Sequence, residues 1–221
     1  MTIILVNPNA TVAMTDAMLA GARRARPGLT FEGWTSPDAP PAIEGPEDAA
    51  RAMPALMAMV DRASATGAEA IVIACFDDPG LAEARARASC PVIGAGEAAL
   101  TLAALAAPRI GIVTTVEAAV PVIAANVARM GLSDRVDLRA AGVPVLDLEA
   151  APGRALERFG RTADAMVSDG PGFGALVLGC AGAGALRDAM ADRLGLPVFD
   201  GITAAAGLCA ALEAGRSRTP A

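Results

Sequence analysis

Four short runs along the chain are apolar at every position: Ile3-Ile4-Leu5-Val6, Ile71-Val72-Ile73-Ala74, Ile110-Gly111-Ile112-Val113 and Ala175-Leu176-Val177-Leu178. A strand with one face in water alternates apolar and polar residues. A strand covered on both faces does not, so these runs predict buried strands of parallel sheets. Between them the pattern lengthens to a helical period. Met14, Met18 and Leu19 mark the inner side of a helix over Val12 to Ala25, and Thr11 is placed to cap it. Met53, Leu56, Met57 and Val60 mark another from Glu47 to Thr66, in which Pro54 predicts a kink or a later start.

Further helices are expected over Leu81 to Ala88, Glu97 to Ala107, Val116 to Met130, Gly153 to Asp169, Ala183 to Leu194 and Thr203 to Glu213. Weaker strands are expected at Thr30 to Trp34, Val136 to Ala140, from Val92, and at Pro197 to Phe199. Four prolines between Ser36 and Pro46 make that stretch a loop, and Gly142 to Asp147 reads as another. The tail from Gly215 reads as frayed. Strands alternating with helices give an α/β fold with helices on both sides of parallel sheets.

The pattern also repeats. Each of Cys75 and Cys180 stands where an apolar strand stops and a turn leads into a helix. Leu81 and Leu186 follow their cysteines at the same interval. Pro91 and Pro197 follow at intervals differing by one residue. Val6-Asn7 and Val113-Thr114 end the apolar runs that precede the two units. An internal duplication accounts for this. It predicts two pseudo-symmetric lobes, each a mainly parallel sheet flanked by helices, with a site in the cleft between them. The division expected is 1–97 plus 203–221 for one lobe and 98–202 for the other.

Composition narrows the chemistry. Of 221 residues, 54% are hydrophobic but only 3% aromatic, which suits close helix–sheet packing by small side chains. The net charge is −6 and the only basic cluster is Arg23-Arg24-Arg26, so no nucleic-acid footprint is present. No signal peptide or membrane span is visible, and a cytoplasmic protein with reduced thiols is expected. The sequence contains no histidine, which removes the commonest general base and metal ligand, and the cysteine spacing suits no metal. It contains no lysine, which removes Schiff-base chemistry. Neither cofactor nor metal is expected.

What remains is a pair of thiols. In open parallel sheets ligands lie beyond the carboxyl ends of the strands, where Cys75 and Cys180 stand. A following helix N-terminus is expected to favour the thiolate at each. Two thiols facing one carbon are what a cofactor-free racemase needs, one removing a proton and the other returning it to the opposite face. The run Gly179-Cys180-Ala181-Gly182-Ala183-Gly184 offers N–H groups to a developing enolate, and lacks the order of a nucleotide-binding loop. Asp78 before Pro79 reads as a cap with proline in the first helical turn. Asp77 is awkward, because a carboxylate beside Cys75 raises its pKa. It is expected to point away or to be hydrogen-bonded elsewhere. Cys90 and Cys209 read as packing residues.

These segments carry a resemblance. Val6-Asn7-Pro8-Asn9, Ile43-Glu44-Gly45, Ala74-Cys75-Phe76-Asp77-Asp78-Pro79-Gly80-Leu81, Pro91-Val92-Ile93-Gly94, Ile112-Val113-Thr114-Thr115, Leu178-Gly179-Cys180-Ala181-Gly182 and Pro197-Val198-Phe199-Asp200-Gly201 run in order over most of the chain. Together they resemble the aspartate/glutamate racemase superfamily, and within it the hydantoin and allantoin racemases. The resemblance implies Cys75 and Cys180 as acid/base pair. It implies substrate contacts from Asn7, Asn9, Ile43, Phe76, Thr114, Thr115, Ala181 and Gly182. It also implies that the Glu97 helix crosses to the second lobe and the last helix packs back on the first. Amino-acid racemases of the superfamily usually carry Asn-Thr and Thr-His after their cysteines. Phe76-Asp77 and Ala181-Gly182 stand here instead, which favours a flatter, less charged ring such as a hydantoin. Ala183 replaces a methionine frequent in hydantoin racemases and leaves more room beside the second thiol. Open alternatives are an amino-acid racemase, a decarboxylase, a maleate-isomerase-type enzyme, or a binding protein without catalysis. A small-molecule substrate and a homo-oligomer are expected, the latter because alanine-rich helices pack closely.

Overall fold

The computed structural model describes residues 1–215, so the tail expected beyond Gly215 lies outside the described residues. The elements are β1 (Thr2–Asn7), α1 (Val12–Ala25), β2 (Thr30–Thr35), α2 (Pro46–Ala65), β3 (Ala70–Ile73), α3 (Leu81–Arg87), β4 (Val92–Gly94) and α4 (Ala95–Ala106). The second half has β5 (Ile110–Thr114), α5 (Val120–Arg129), β6 (Val136–Ala140), α6 (Asp147–Ala150), α7 (Pro152–Asp169), β7 (Ala175–Gly179), α8 (Arg187–Leu194), β8 (Val198–Asp200) and α9 (Gly201–Ala214).

Two four-stranded sheets result, ordered β2-β1-β3-β4 and β6-β5-β7-β8, and every pairing is parallel. The four all-apolar runs form the central pairs. Val6 lies beside Ile73 in the first sheet and Thr114 beside Gly179 in the second. The order is the same in both halves, as a duplication requires.

The sheet faces divide the core. Ile4, Val6, Ile71 and Ile73 face outward in the first lobe and are covered by Leu56, Met57 and Val60 of α2. Their alternates Ile3, Leu5 and Val72 face inward. There they join a single core that runs through Met14 and Met18 of α1, the alanines of α4 and Cys209 of α9 to Ile112, Leu176 and Leu178 of the second sheet. Helix α4 packs on β7 and β8, and α9 packs on α1 and α4. Small side chains permit this: a Cβ on Gly201 would come within 2.8 Å of Ala95. The alanine-rich faces of α4 and α9 meet each other within the chain.

Three local readings need correction. Pro54 does not delay α2, which starts at Pro46, where proline's missing N–H costs nothing. Thr11 occupies the N-cap position of α1, but its hydroxyl donates to the Pro41 carbonyl at 2.7 Å instead of capping the helix. Asp78 does not cap α3. Gly80, in the left-handed region at φ 62°, precedes that helix, so Pro79 stays outside it.

Candidate functional site

Ala74 extends the ladder past β3 by donating to the Val6 carbonyl at 2.8 Å, and Cys75 follows it at the sheet's carboxyl edge. A turn then closes with Asp78 N–H donating to the Cys75 carbonyl at 3.1 Å. In the second lobe Cys180 follows Gly179, the last residue of β7. It precedes a 3₁₀ turn over Ala181–Leu186, and its carbonyl accepts from Ala183 N–H at 3.0 Å. The environments match at the sulphurs too. The N–H of Asp77 serves Cys75 as that of Gly182 serves Cys180, each two residues on, and Ala183 N–H adds to the second.

Both thiols border one cavity of about 30 Å³ between the lobes. Asn9, Met14, Ile43, Phe76 and Asp77 line it from the first half, and Thr115, Val145, Ala181 and Gly182 from the second. Of the residues expected at the site, Asn7 and Thr114 do not border it. Fully buried Asn7 donates to Asn9 Oδ1 at 2.9 Å and to the Thr15 hydroxyl at 3.0 Å, and its Oδ1 accepts from Asn9 N–H. The Thr114 hydroxyl donates to the Gly179 carbonyl at 2.8 Å. Each supports a neighbour that does line the cavity.

Neither thiol is poised as a thiolate, contrary to the expectation from helix N-termini. Burial, then the charge of Asp77, pushes Cys75 well above its ordinary value. Burial pushes Cys180 up to about 12, against the pull of the Gly182 N–H, and the charge of Asp77 adds to it. At Cys180 burial outweighs the N–H groups of the six-residue 3₁₀ segment that leads into α8, and Cys75 is followed by a turn in place of a helix.

The orientation expected for Asp77 is also corrected. The residue lines the cavity and is 7% exposed, and its Oδ2 is buried without a hydrogen-bond partner. Burial raises its carboxyl to about 7. The sequence pairs Asp77 with Asp78 as turn residues, but the two separate. Asp78 reaches the head of α4, accepting from Gly96 N–H at 3.0 Å and Glu97 N–H at 2.7 Å. Two contacts across the lobes complete the site. Asn126 of α5 donates to the Asp77 carbonyl at 2.8 Å, and Glu44 accepts from Val145 N–H at 2.6 Å. Sequence reading passed over Asn126. Its one signal is an amide at helical spacing with the buried Ile123 and Val127 of α5.

The family model described as Asp/Glu/Hydantoin racemase matches residues 3–209. The chain belongs to that family. It is an isomerase of the racemase class. A hydantoin racemase of Rhizobium meliloti is 40% identical over 96% of this chain and 88% of its own length. The solved structure of allantoin racemase from Klebsiella pneumoniae superposes with a TM-score of 0.91 at 35% identity, covering 96% of this chain and 87% of that one. Allantoin racemase from Pseudomonas fluorescens gives the same TM-score at 30% identity, over 97% and 91% of the two chains. Among the described residues no cluster of His, Cys, Asp or Glu could hold a metal ion, and no helix is long and apolar enough to cross a membrane.

Proposed function

We propose that this racemase inverts a cyclic ureide, a 5-substituted hydantoin or allantoin, with Cys75 and Cys180 as the two proton-transferring groups and no cofactor. The observation that carries the reading is the pair of thiols, one from each lobe, on a cavity whose lining contains no arginine. An amino-acid substrate brings a full carboxylate, and that lining offers it no cation. A neutral ring needs none. Its acidic carbon lies beside a carbonyl, onto which the negative charge spreads once the proton is gone.

One thiolate takes the ring proton, forming S–H as C–H breaks. The opposite thiol gives its proton to the other face of the planar anion, and the roles exchange for the other enantiomer. Asn9, Ile43, Phe76, Thr115, Ala181 and Gly182 form the walls that hold the ring between the sulphurs. Asn7 and Thr114 position two of those walls. With no disulfide among its cysteines, the enzyme suits the reducing cytoplasm.

The test follows loss of optical rotation and exchange of the ring proton in deuterium oxide. Enantiopure hydantoins and allantoin are set beside aspartate and glutamate. The ureides racemise and the amino acids do not. Cys75→Ser and Cys180→Ser each lower racemisation by about a thousandfold or more, since a hydroxyl is a far poorer base than a thiolate. Near-normal turnover in either single variant overturns the two-thiol mechanism.

A further inference from the structure

The two halves of the site match at the sulphurs and differ at one position. Two residues after Cys75 stands Asp77, and two residues after Cys180 stands Gly182. Both give a backbone N–H to their cysteine, but only one brings a carboxylate. Asp77 lines the cavity shared by the thiols, and its Oδ2 is buried without a hydrogen-bond partner. Its charge acts on Cys75 and on Cys180 alike. A partnerless buried carboxylate is costly, and at a site it points to a use.

We propose that Asp77 is the proton relay of the thiol pair: it takes the proton that turns one thiol into the attacking thiolate, holds it during inversion, and returns it to the other thiol. The proposal rests on the two-thiol reading above. Beginning with both thiols protonated and Asp77 ionised, the S–H of Cys75 breaks and O–H forms on Asp77. The thiolate then removes the ring proton, and Cys75 is a thiol again. Cys180 protonates the opposite face and becomes the thiolate. Asp77 gives its proton to Cys180 and is a carboxylate once more. No proton is gained or lost, and the reverse direction starts from Cys180.

The surroundings explain why such a relay is needed. No cation lines the cavity, and the sequence has no histidine or lysine. The remaining charged groups are acidic. Asp78 acts on Cys75 from the same turn, Glu44 acts on Cys180 from its loop, and Glu97 at the head of α4 acts on Asp78. A thiolate and an ionised Asp77 therefore oppose each other. Moving a proton from sulphur to Asp77 keeps one negative charge in the site and removes the charge that opposed the thiolate. The carboxyl, raised to about 7, is suited to exchange protons at neutral pH. The cavity has room for one or two water molecules, through which a proton can pass between Asp77 and the sulphurs. Without the relay, each turnover leaves the free enzyme protonated on the wrong sulphur.

The test compares the native enzyme with Asp77→Asn, which keeps the shape and removes the exchangeable proton. In the native enzyme kcat rises with pH through a limb near 7. In Asp77→Asn that limb disappears, kcat at pH 7.5 falls by about a hundredfold or more while KM moves less than about threefold, and activity recovers only toward the thiol range. A variant that keeps the native limb and a rate within about threefold overturns the relay. If the variant is folded by circular dichroism but silent at every pH, alkylation of the two thiols by iodoacetamide decides. The native rate shows a step near pH 7 that the variant lacks, and a retained step overturns the proposal. The single Cys→Ser variants report separately. Near-normal turnover in either one defeats the two-thiol reading itself, whatever Asp77→Asn does.

Discussion

The carboxylate of Asp78 accepts the backbone N–H of Glu97 at 2.7 Å, and its second oxygen takes Gly96 N–H at 3.0 Å. A residue of the Cys75 turn thus caps the helix that crosses to the second sheet. In the second lobe the equivalent helix, α9, is capped locally by Asp200, which accepts from Ile202 and Thr203. Asp78→Ala leaves two buried donors of α4 unmet and frees the turn. A loss of about 1–3 kcal/mol is expected in urea unfolding, with a fall in racemisation as Cys75 loses its anchor.

That cap demands close approach. A Cβ on Gly96 would stand 2.1 Å from the Phe76 carbonyl oxygen, and one on Gly94 would stand 2.4 Å from Asp78. Backbone cannot give way as a flexible side chain can. Gly96→Ala should therefore cost about 3 kcal/mol or fail to fold, while Gly153→Ala, with open space around it, changes unfolding by less than about 1 kcal/mol.

Asp77 sets a pH dependence of stability. Burial raises its folded pKa from 3.8 to about 7, so between those values the folded chain binds more protons than the unfolded one. Its contribution is fully present below pH 3.8 and is lost as pH rises through 7. Asp77→Asn should match the native enzyme in stability at pH 4. At pH 8 it should be more stable, by on the order of 1–4 kcal/mol. Urea titrations at the two pH values check both halves.

Glu44 can be divided into its charge and its hydrogen bond. Its charge helps to raise Cys180, and its Oε1 accepts from Val145 N–H. Glu44→Gln keeps an acceptor and removes the charge, so alkylation of Cys180 shifts toward lower pH with little change in stability. Glu44→Ala loses both, and unfolding becomes easier by about 1–2 kcal/mol.

The fold was readable because its signals are local. Buried parallel strands such as Ile71–Ala74 are apolar at every position, and the two strand–cysteine–turn units copy each other. The walls of the site were partly readable for the same reason, since Phe76, Ala181 and Gly182 adjoin the cysteines. What sequence did not carry were the contacts between distant segments. Asp78 meets Gly96 and Glu97 only after β4 is placed, and Asn126 meets Asp77 only when the lobes close. Asp78 adopts φ 48°, a left-handed conformation that aspartate tolerates better than most residues, and this turns its side chain from α3 to α4. A cap rule that looks a few residues ahead cannot see such a partner. The thiols' acidity was misjudged because burial, a property of the whole fold, outweighs a short turn's N–H groups.

Two hydrogen bonds tie the lobes together beside the cavity that holds both thiols: Asn126 to the Asp77 carbonyl, and Val145 N–H to Glu44. A ring that needs a wider cavity than the resting one must loosen those two bonds. On the proposed mechanism those same bonds set how far each of the two sulphurs, one carried by each lobe, stands from the carbon they share.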